Sequence, residues 1–353
     1  MHRIAESLVR EGFHVSVIGR QLKSSLSLQE ALFSHHRYKM LFRKGPLFYA
    51  FFNLRLFFSL LFMRRPSLFI AIDLDTLPAN FLVSRIRKLP LLYDSHEYFT
   101  EVPELINRPG TKKIWERIEK SILPKLRYAT AVSESIANTY SEKYGIPFET
   151  VRNVSFSREL QEYPEFNQIY SSKYKIIYQG ALNLGRGIEL MIKAMAFLEE
   201  ATLFVVGDGD LSDELHKIAD DEPYPGRIIF TGKIAPAELH RITCQCNLGL
   251  SLEEDMGLNY RMALPNKIFD YVQARIPVCC SDLPEMSALI HTHGIGEICR
   301  KRTPKGLAEQ MREMLENSEK IASWKKNLTQ AADELCWEKE QDKLLKIIHQ
   351  ALG

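Results

Sequence analysis

Three things are scarce in this chain of 353 residues: net charge, paired cysteine, and any apolar run long enough to cross a bilayer. Lys and Arg number 46 against 44 Asp and Glu, a net charge of +2. So even a balance argues against nucleic acid as the main partner, because its binders carry a strong basic excess. The six cysteines (Cys244, Cys246, Cys279, Cys280, Cys299, Cys336) form no CxxC pair. That spacing speaks against a zinc centre and fits a reducing, cytoplasmic compartment. The longest apolar run begins at Leu47, ends at Met63, and is broken by Asn53, Arg55 and Ser59. It is too short and too polar to span a membrane. Its aromatic load and its flanks, Arg43 and Lys44 before and Arg64 and Arg65 after, suit a helix lying on a membrane surface or packed on a sheet. A 20–50-residue repeat is also lacking.

What the sequence does contain is a strand–helix unit used over and over. Apolar runs at 175–179, 202–206, 227–231, 247–251 and 276–280 each end in a Gly-rich or charged turn. Amphipathic segments separate them, the first predicted at 188–199. Buried strands alternating with helices imply a parallel sheet covered on both faces. Ligands of such sheets bind beyond the carboxyl ends of the strands, where all these turns fall.

The first half shows the same pattern. Strands are predicted at 14–18, 68–72, 91–93, 129–132 and near 150–153, with helices at 3–11, 77–88, 111–126 and up to residue 143. Residues 21–36 are polar and resist assignment. The first helix has no strand before it, although a βαβ unit requires one. The first domain is expected to lack a central strand and the loop after it, the other reading being a fold that starts with a helix. Residues 155–173 show little periodicity and read as a connection. Beyond Arg302 the chain is helical at 304–316, 318–334 and 339–352. The expected domains are 1–156, a linker at 157–173, a second α/β domain at 174–334, and a C-terminal helix at 335–353 crossing back to the first. Two Rossmann-like domains so arranged imply a cleft.

Four groups carry candidate chemistry. Gly180, then Gly185, Arg186 and Gly187, lie between a strand and a helix. Glycines let backbone N–H groups approach a phosphate, and Arg186 adds charge. Neither a Walker A loop nor a full GxGxxG is formed. In Pro265-Asn266-Lys267-Ile268-Phe269-Asp270, Pro265 suits a helix start, and Lys267 and Asp270 share one face near it. A cation and a carboxylate there can meet a diphosphate and a ribose diol together. Asp94-Ser95-His96-Glu97 follows a buried strand, and His96 can donate to a substrate hydroxyl or phosphate. Asp73-Leu74-Asp75 imitates a metal-binding DxD but is read as capping the helix at Leu77.

With these residues in place, the chain resembles the retaining glycosyltransferases of family 4, which have the two-domain GT-B fold. The resemblance rests on residues 12–19, on Tyr93 to Glu97, Val132 to Glu134, Tyr178 to Gly180 with Arg186-Gly187, Val206 to Gly209, Phe230 to Gly232, and Leu264 to Tyr271. It implies a nucleoside-diphosphate sugar held by the C-terminal domain, with Arg186 and Lys267 beside Asn266 on the diphosphate, Asp270 on the ribose and the backbone around Gly232 on the base. His96 would face the transferred sugar. No metal or other cofactor is implied. The family's two glutamates, with seven residues between them, are not cleanly present: eight on from Glu254 is Met262. Glu253 or Glu254 would take the first role, and Asp270 the second. Ala181 and Leu182 stand where the family has an Arg, Arg186 where it has Lys, and Arg275 where it has a small residue. The implied activity is transfer of a hexose-type sugar to a lipid-linked or cell-envelope saccharide. A GT-B protein that binds without transfer, and a nucleotide-sugar epimerase, are the alternatives.

Overall fold

The computed structural model describes residues 1–21, 32–42, 45–106 and 108–353, the side chain of Pro225 excepted. The chain forms two compact units. One comprises Met1–Arg152 with Lys339–Gly353, the other Asn153–Glu338. Both are α/β with parallel strands, which fits the alternation of continuous apolar runs with amphipathic segments.

Twelve strands are present among the described residues: β1 (Ser16–Gln21), β2 (Ser34–Lys39), β3 (Phe69–Ile72), β4 (Leu91–Ser95), β5 (Tyr128–Ala131), β6 (Glu149–Thr150), β7 (Tyr174–Gln179), β8 (Ala201–Val206), β9 (Ile228–Gly232), β10 (Leu248–Ser251), β11 (Val278–Cys280) and β12 (Gly296–Ile298). The second unit holds one six-stranded sheet in the order β12-β11-β10-β7-β8-β9. Its centre is apolar on both faces: Ile176, Ile177, Leu203, Phe204, Leu248 and Leu250 are wholly buried. Ile176 pairs with Leu203 on one side and Leu248 on the other. The order reverses at β7 and β10, so their carboxyl ends define the switch point where α/β sheets take ligands.

The first unit contains two sheets, β1-β2 and β3-β4-β5-β6. The strand β2 replaces part of the stretch left unassigned above. Its sequence, Ser34 to Lys39, offers no apolar alternation for a reader to detect. Residues 22–31, also in that stretch, lie outside the described residues, as do Arg43 and Lys44. The apolar run is one helix, Pro46–Leu61, with Phe48, Phe52, Leu56 and Leu60 buried at four-residue spacing. Leu47, Leu54 and Phe58 stay exposed on the same helix. No helix among the described residues is long and apolar enough to cross a membrane.

The stretch 157–173, read above as a connection, packs into the second unit. Its helix Pro164–Ile169 sets the Phe166 ring 5.0 Å from Phe204 of β8. The last helix, Trp337–Leu352, returns to the first unit: the Tyr128 hydroxyl donates to the Gln350 carbonyl, and the Ser7 hydroxyl to Gln341. The strand β12 and the helix Pro284–His293, neither read from the sequence, complete the second sheet and its cover.

Candidate active site

In the second unit the turn after β7 closes against three neighbours. Gly180, Gly185 and Gly187 all have φ between +68° and +143°, a region that L side chains rarely adopt. Gly187 needs it most: a Cβ there would lie 2.2 Å from the Leu252 carbonyl oxygen. That contact brings the start of the helix Ile188–Ala194 against the chain leaving β10. The Glu254 N–H donates to the Gly185 carbonyl at 2.8 Å and ties the same two segments together.

The contact delivers Arg186 to Glu253. The Lys267 ammonium donates to Glu253 Oε1 at 2.8 Å, and an Arg186 guanidinium nitrogen lies 3.7 Å from the same oxygen. The Ser251 hydroxyl donates to the other carboxylate oxygen at 2.7 Å. Glu253 and Lys267 are 2% and 8% exposed, while Arg186 keeps 31% of its side chain in solvent. Lys267 also sits 4.1 Å from the centre of the Tyr178 ring, a cation–π contact that helps hold it under the turn. Burial opposes the charge on Glu253, but Lys267, the Ser251 hydroxyl and Arg186 outweigh it and hold the carboxyl below its ordinary value. Two cations thus meet one carboxylate, so the cluster of Arg186, Lys267 and Glu253 carries one net positive charge.

Of the two neighbouring glutamates that the sequence leaves undecided, the structure brings Glu253 to the cations and leaves Glu254 exposed. Strand alternation carries the choice: Glu253 is two residues beyond Ser251 and falls on its side of the chain. Arg302 supports the turn from behind, donating to the Ser281 hydroxyl at 2.6 Å and the Leu252 carbonyl at 2.9 Å.

Lys267 and Asp270 sit on the helix Asn266–Gln273. Asn266, at its first position, is exposed. Asp270 takes its hydrogen bonds apart from Lys267: Gln179 Nε2 donates to it at 2.7 Å, and the Ser155 hydroxyl donates to its other oxygen. The two side chains therefore bracket the end of β7, Lys267 beside Tyr178 and Gly180, Asp270 beside Gln179. Ser155 and Gln179, which hold Asp270, carry no signal in the sequence that singles them out. Gly232 ends β9 with φ +67°, and its carbonyl accepts from the Gly207 N–H at 2.9 Å. Arg275, at the family's small-residue position, has φ +57°, which explains why a small residue suits that place.

The first unit holds a separate cluster at the ends of β3 and β4. His96 Nε2 lies 2.9 Å from Asp94 Oδ2, and the Thr130 hydroxyl donates to Asp94 Oδ1 at 2.8 Å. The His96 N–H donates to Asp73 Oδ1 at 2.7 Å. Asp73 is thus a ligand of the His96 backbone, not a helix cap. The helix Leu77–Arg87 has no side-chain cap, and the Thr76 hydroxyl turns back to the Ile72 carbonyl. Burial works against the imidazolium, but the hydrogen bond and charge of Asp94, with Asp73, raise the His96 pKa. No group of three or more His, Cys, Asp or Glu able to hold a metal occurs among the described residues.

The chain is similar to solved structures of GT-B architecture. Sucrose-phosphate synthase from Thermosynechococcus elongatus gives a TM-score of 0.78 at 15% identity, covering 99% of this chain and 91% of that one. HepE from Anabaena, solved with UDP and glucose, gives 0.71 at 16%, covering 90% and 86%. WaaG, a glycosyltransferase involved in lipopolysaccharide biosynthesis, gives 0.68 at 14%, covering 98% and 94%. A search of curated protein sequences returned no match. Residues 1–154 match Glycosyltransferase Family 4, and residues 160–331 match Glycosyl transferases group 1. The chain belongs to this glycosyltransferase family and has the GT-B fold.

Proposed function

We propose that the protein transfers a hexose-type sugar, with retention, from a nucleoside-diphosphate sugar to a lipid-linked or cell-envelope saccharide. The observation that carries this reading is the convergence of Arg186 and Lys267 on the buried Glu253 beneath a glycine turn. A diphosphate is the leaving group of such a reaction, and its charge grows as the glycosidic bond breaks. Cations already fixed by Glu253 stabilise that charge without reorganising in the transition state. Gly180 leaves backbone room for the phosphates beside the Lys267 ammonium, Gly187 lets the helix start close on Leu252, Asn266 opens the helix nearest the phosphates, and Asp270 is the acceptor for ribose hydroxyls. The carbonyl and N–H groups around Gly232 are assigned to the base. Glu253 is assigned a positioning role and His96 a hydrogen bond to the transferred sugar; exposed Glu254 is the weaker candidate for catalysis. The chemistry so assigned needs no metal.

The donor reading predicts a nucleotide-dependent gain in stability. HepE has been solved with UDP-glucose, so UDP is the first nucleotide to test, beside GDP, ADP and CMP. A ligand at 100 times its Kd adds about 2.7 kcal/mol of stability. One nucleoside diphosphate should raise the Tm. No rise with any of them, in a protein that unfolds cooperatively, would remove the donor site and favour the binding-only alternative.

The acceptor reading draws on the first unit. Leu47, Leu54, Phe58 and Phe62 of the aromatic segment stay exposed, as do Leu82 and Ile86 of the next helix and the charged Arg64 and Arg65. Apolar side chains beside cations suit the inner, anionic face of a membrane. The protein should sediment with vesicles containing anionic lipid and release them when Phe58 and Phe62 become Ser. Equal recovery of both proteins in the supernatant would count against a membrane acceptor.

A further inference from the structure

Strand alternation puts Asp94 and His96 on one side of the chain leaving β4, and Tyr93 and Ser95 on the other. The side chains pair accordingly: the Tyr93 hydroxyl reaches Ser95 at 3.4 Å, and His96 reaches Asp94. Asp94 is held from both neighbouring strands. Its carbonyl accepts from the N–H of Asp73, just beyond β3, at 2.9 Å. Its Oδ1 accepts from the hydroxyl of Thr130, its register partner on β5, at 2.8 Å. Only 5% of the Asp94 side chain meets solvent, against 22% for His96. The carboxylate is therefore fixed independently of the imidazole.

The imidazole has little freedom of its own. Asp73 Oδ1 accepts the His96 N–H at 2.7 Å and sets the backbone. Asp94 Oδ2 takes the ring at Nε2, 2.9 Å away. Two torsions define a histidine side chain, and a fixed backbone with one fixed ring nitrogen determines both. A carboxylate only accepts hydrogen bonds, so the proton in that contact belongs to Nε2. The bond made by one ring nitrogen decides which nitrogen is left for chemistry. Among the described residues nothing hydrogen-bonds to Nδ1.

We infer that Asp94 is a positioning residue for sugar transfer: it holds the His96 proton at Nε2 and so makes Nδ1 the nitrogen that meets the substrate. This rests on the assignment of His96 to the transferred sugar. Asp94 acts through the ring and does not itself touch the sugar. With the ring neutral, Nδ1 offers a lone pair to a sugar hydroxyl; with the ring charged, Nδ1 donates. Burial and the Met1 amino group oppose that charge, but Asp94, by hydrogen bond and by charge, and Asp73 outweigh them and raise the pKa. The cluster thus favours the donating form.

The proton can be read directly from the ring nitrogens. In histidine-labelled protein the nitrogen-15 signals of His96 are those lost in His96→Gln. At a pH where the ring is neutral, a bare nitrogen resonates far downfield of a protonated one, and couplings to the ring protons tell Nδ1 from Nε2. The wild type should show Nδ1 bare and Nε2 protonated. In Asp94→Asn the Thr130 hydroxyl keeps the amide oxygen on its own side, the amide N–H faces the ring, and the proton should move to Nδ1. Thr130→Val should keep the wild-type pattern, which separates the loss of a buried hydrogen bond from the loss of the carboxylate. With UDP-glucose as the donor probe, Asp94→Asn should lose at least about 10-fold in kcat with little change in KM. A proton on Nδ1 in the wild type, or on Nε2 in Asp94→Asn, overturns the inference whatever the enzyme does. A moved proton with undiminished kcat overturns the role in transfer, while a nucleotide-dependent rise in Tm would still stand for the donor site.

Discussion

Replacing Glu253 with Gln should destabilise the second unit by about 3–5 kcal/mol, the cost of stranding one charge of a buried pair. Lys267 is 8% exposed and loses its 2.8 Å carboxylate partner, while the like charge of Arg186 stays near. The Tyr178 ring cannot replace an anion. The Ser251 hydroxyl still has an oxygen to donate to, so the loss is electrostatic and not a loss of packing. A second substitution separates structure from function. Lys267→Met in the Glu253→Gln background removes the stranded charge and should recover most of the stability, because apolar groups often replace buried ion pairs without loss. Sugar transfer should stay absent in the double variant, since Lys267 is assigned to the leaving diphosphate. Denaturant unfolding and a transfer assay read the two effects. A double variant that regains both stability and transfer would show the cluster to be structural only.

The second large effect lies in the other unit and depends on pH. Burial pushes the Asp73 carboxyl up to about 7 from 3.8, despite the opposing charge of His96 and the hydrogen bond from its N–H. Folded Asp73 therefore keeps its proton up to about pH 7, whereas the unfolded chain loses it near 3.8. Between those values the folded state binds more protons, so its stability is full below the lower value and falls as pH rises through the upper one. The raised His96 pKa acts in the same direction from 6.5 upward. Asp73→Asn keeps an oxygen for the His96 N–H and removes the ionisation. It should raise stability at pH 8 by about 1–3 kcal/mol and reduce the decline between pH 4 and 7, leaving the part due to Asp75, whose carboxyl burial pushes up to about 6. Parallel stability curves for the two proteins across that range would refute the assignment.

Much of this was legible in the sequence for a physical reason. Strands buried on both faces are written as continuous apolar runs, and β7, β8, β9 and β10 appear in the structure within a residue or two of where those runs lie. The strand β2 was not legible, because an edge strand such as Ser34 to Lys39 can be polar on both faces. The three residues of β12 are too few to carry a period. Within the site, the glycine turn and Lys267 could be read from residue type. One partner of Asp270 could not: Ser155 is 115 positions away and sits in a stretch without pattern. The choice between Glu253 and Glu254 was available in principle, from continuing the alternation past Ser251. The loss of a helix cap at Asp73 was not, since a left-handed φ of +57° at a non-glycine residue reflects tertiary context and not local preference.

The central claim is that Arg186 and Lys267 form a diphosphate seat, and calorimetric titration tests it most directly. UDP and UMP are titrated into the wild-type protein and into Arg186→Gln. Arg186 keeps part of its side chain in solvent, so this change should spare the fold. A charged hydrogen bond to the second phosphate is worth about 1.5–3 kcal/mol, so the wild type should bind UDP at least 10-fold more tightly than UMP, and the variant should lose that difference. Equal affinity of the wild type for UDP and UMP, or an undiminished preference for UDP in Arg186→Gln, would contradict the assignment.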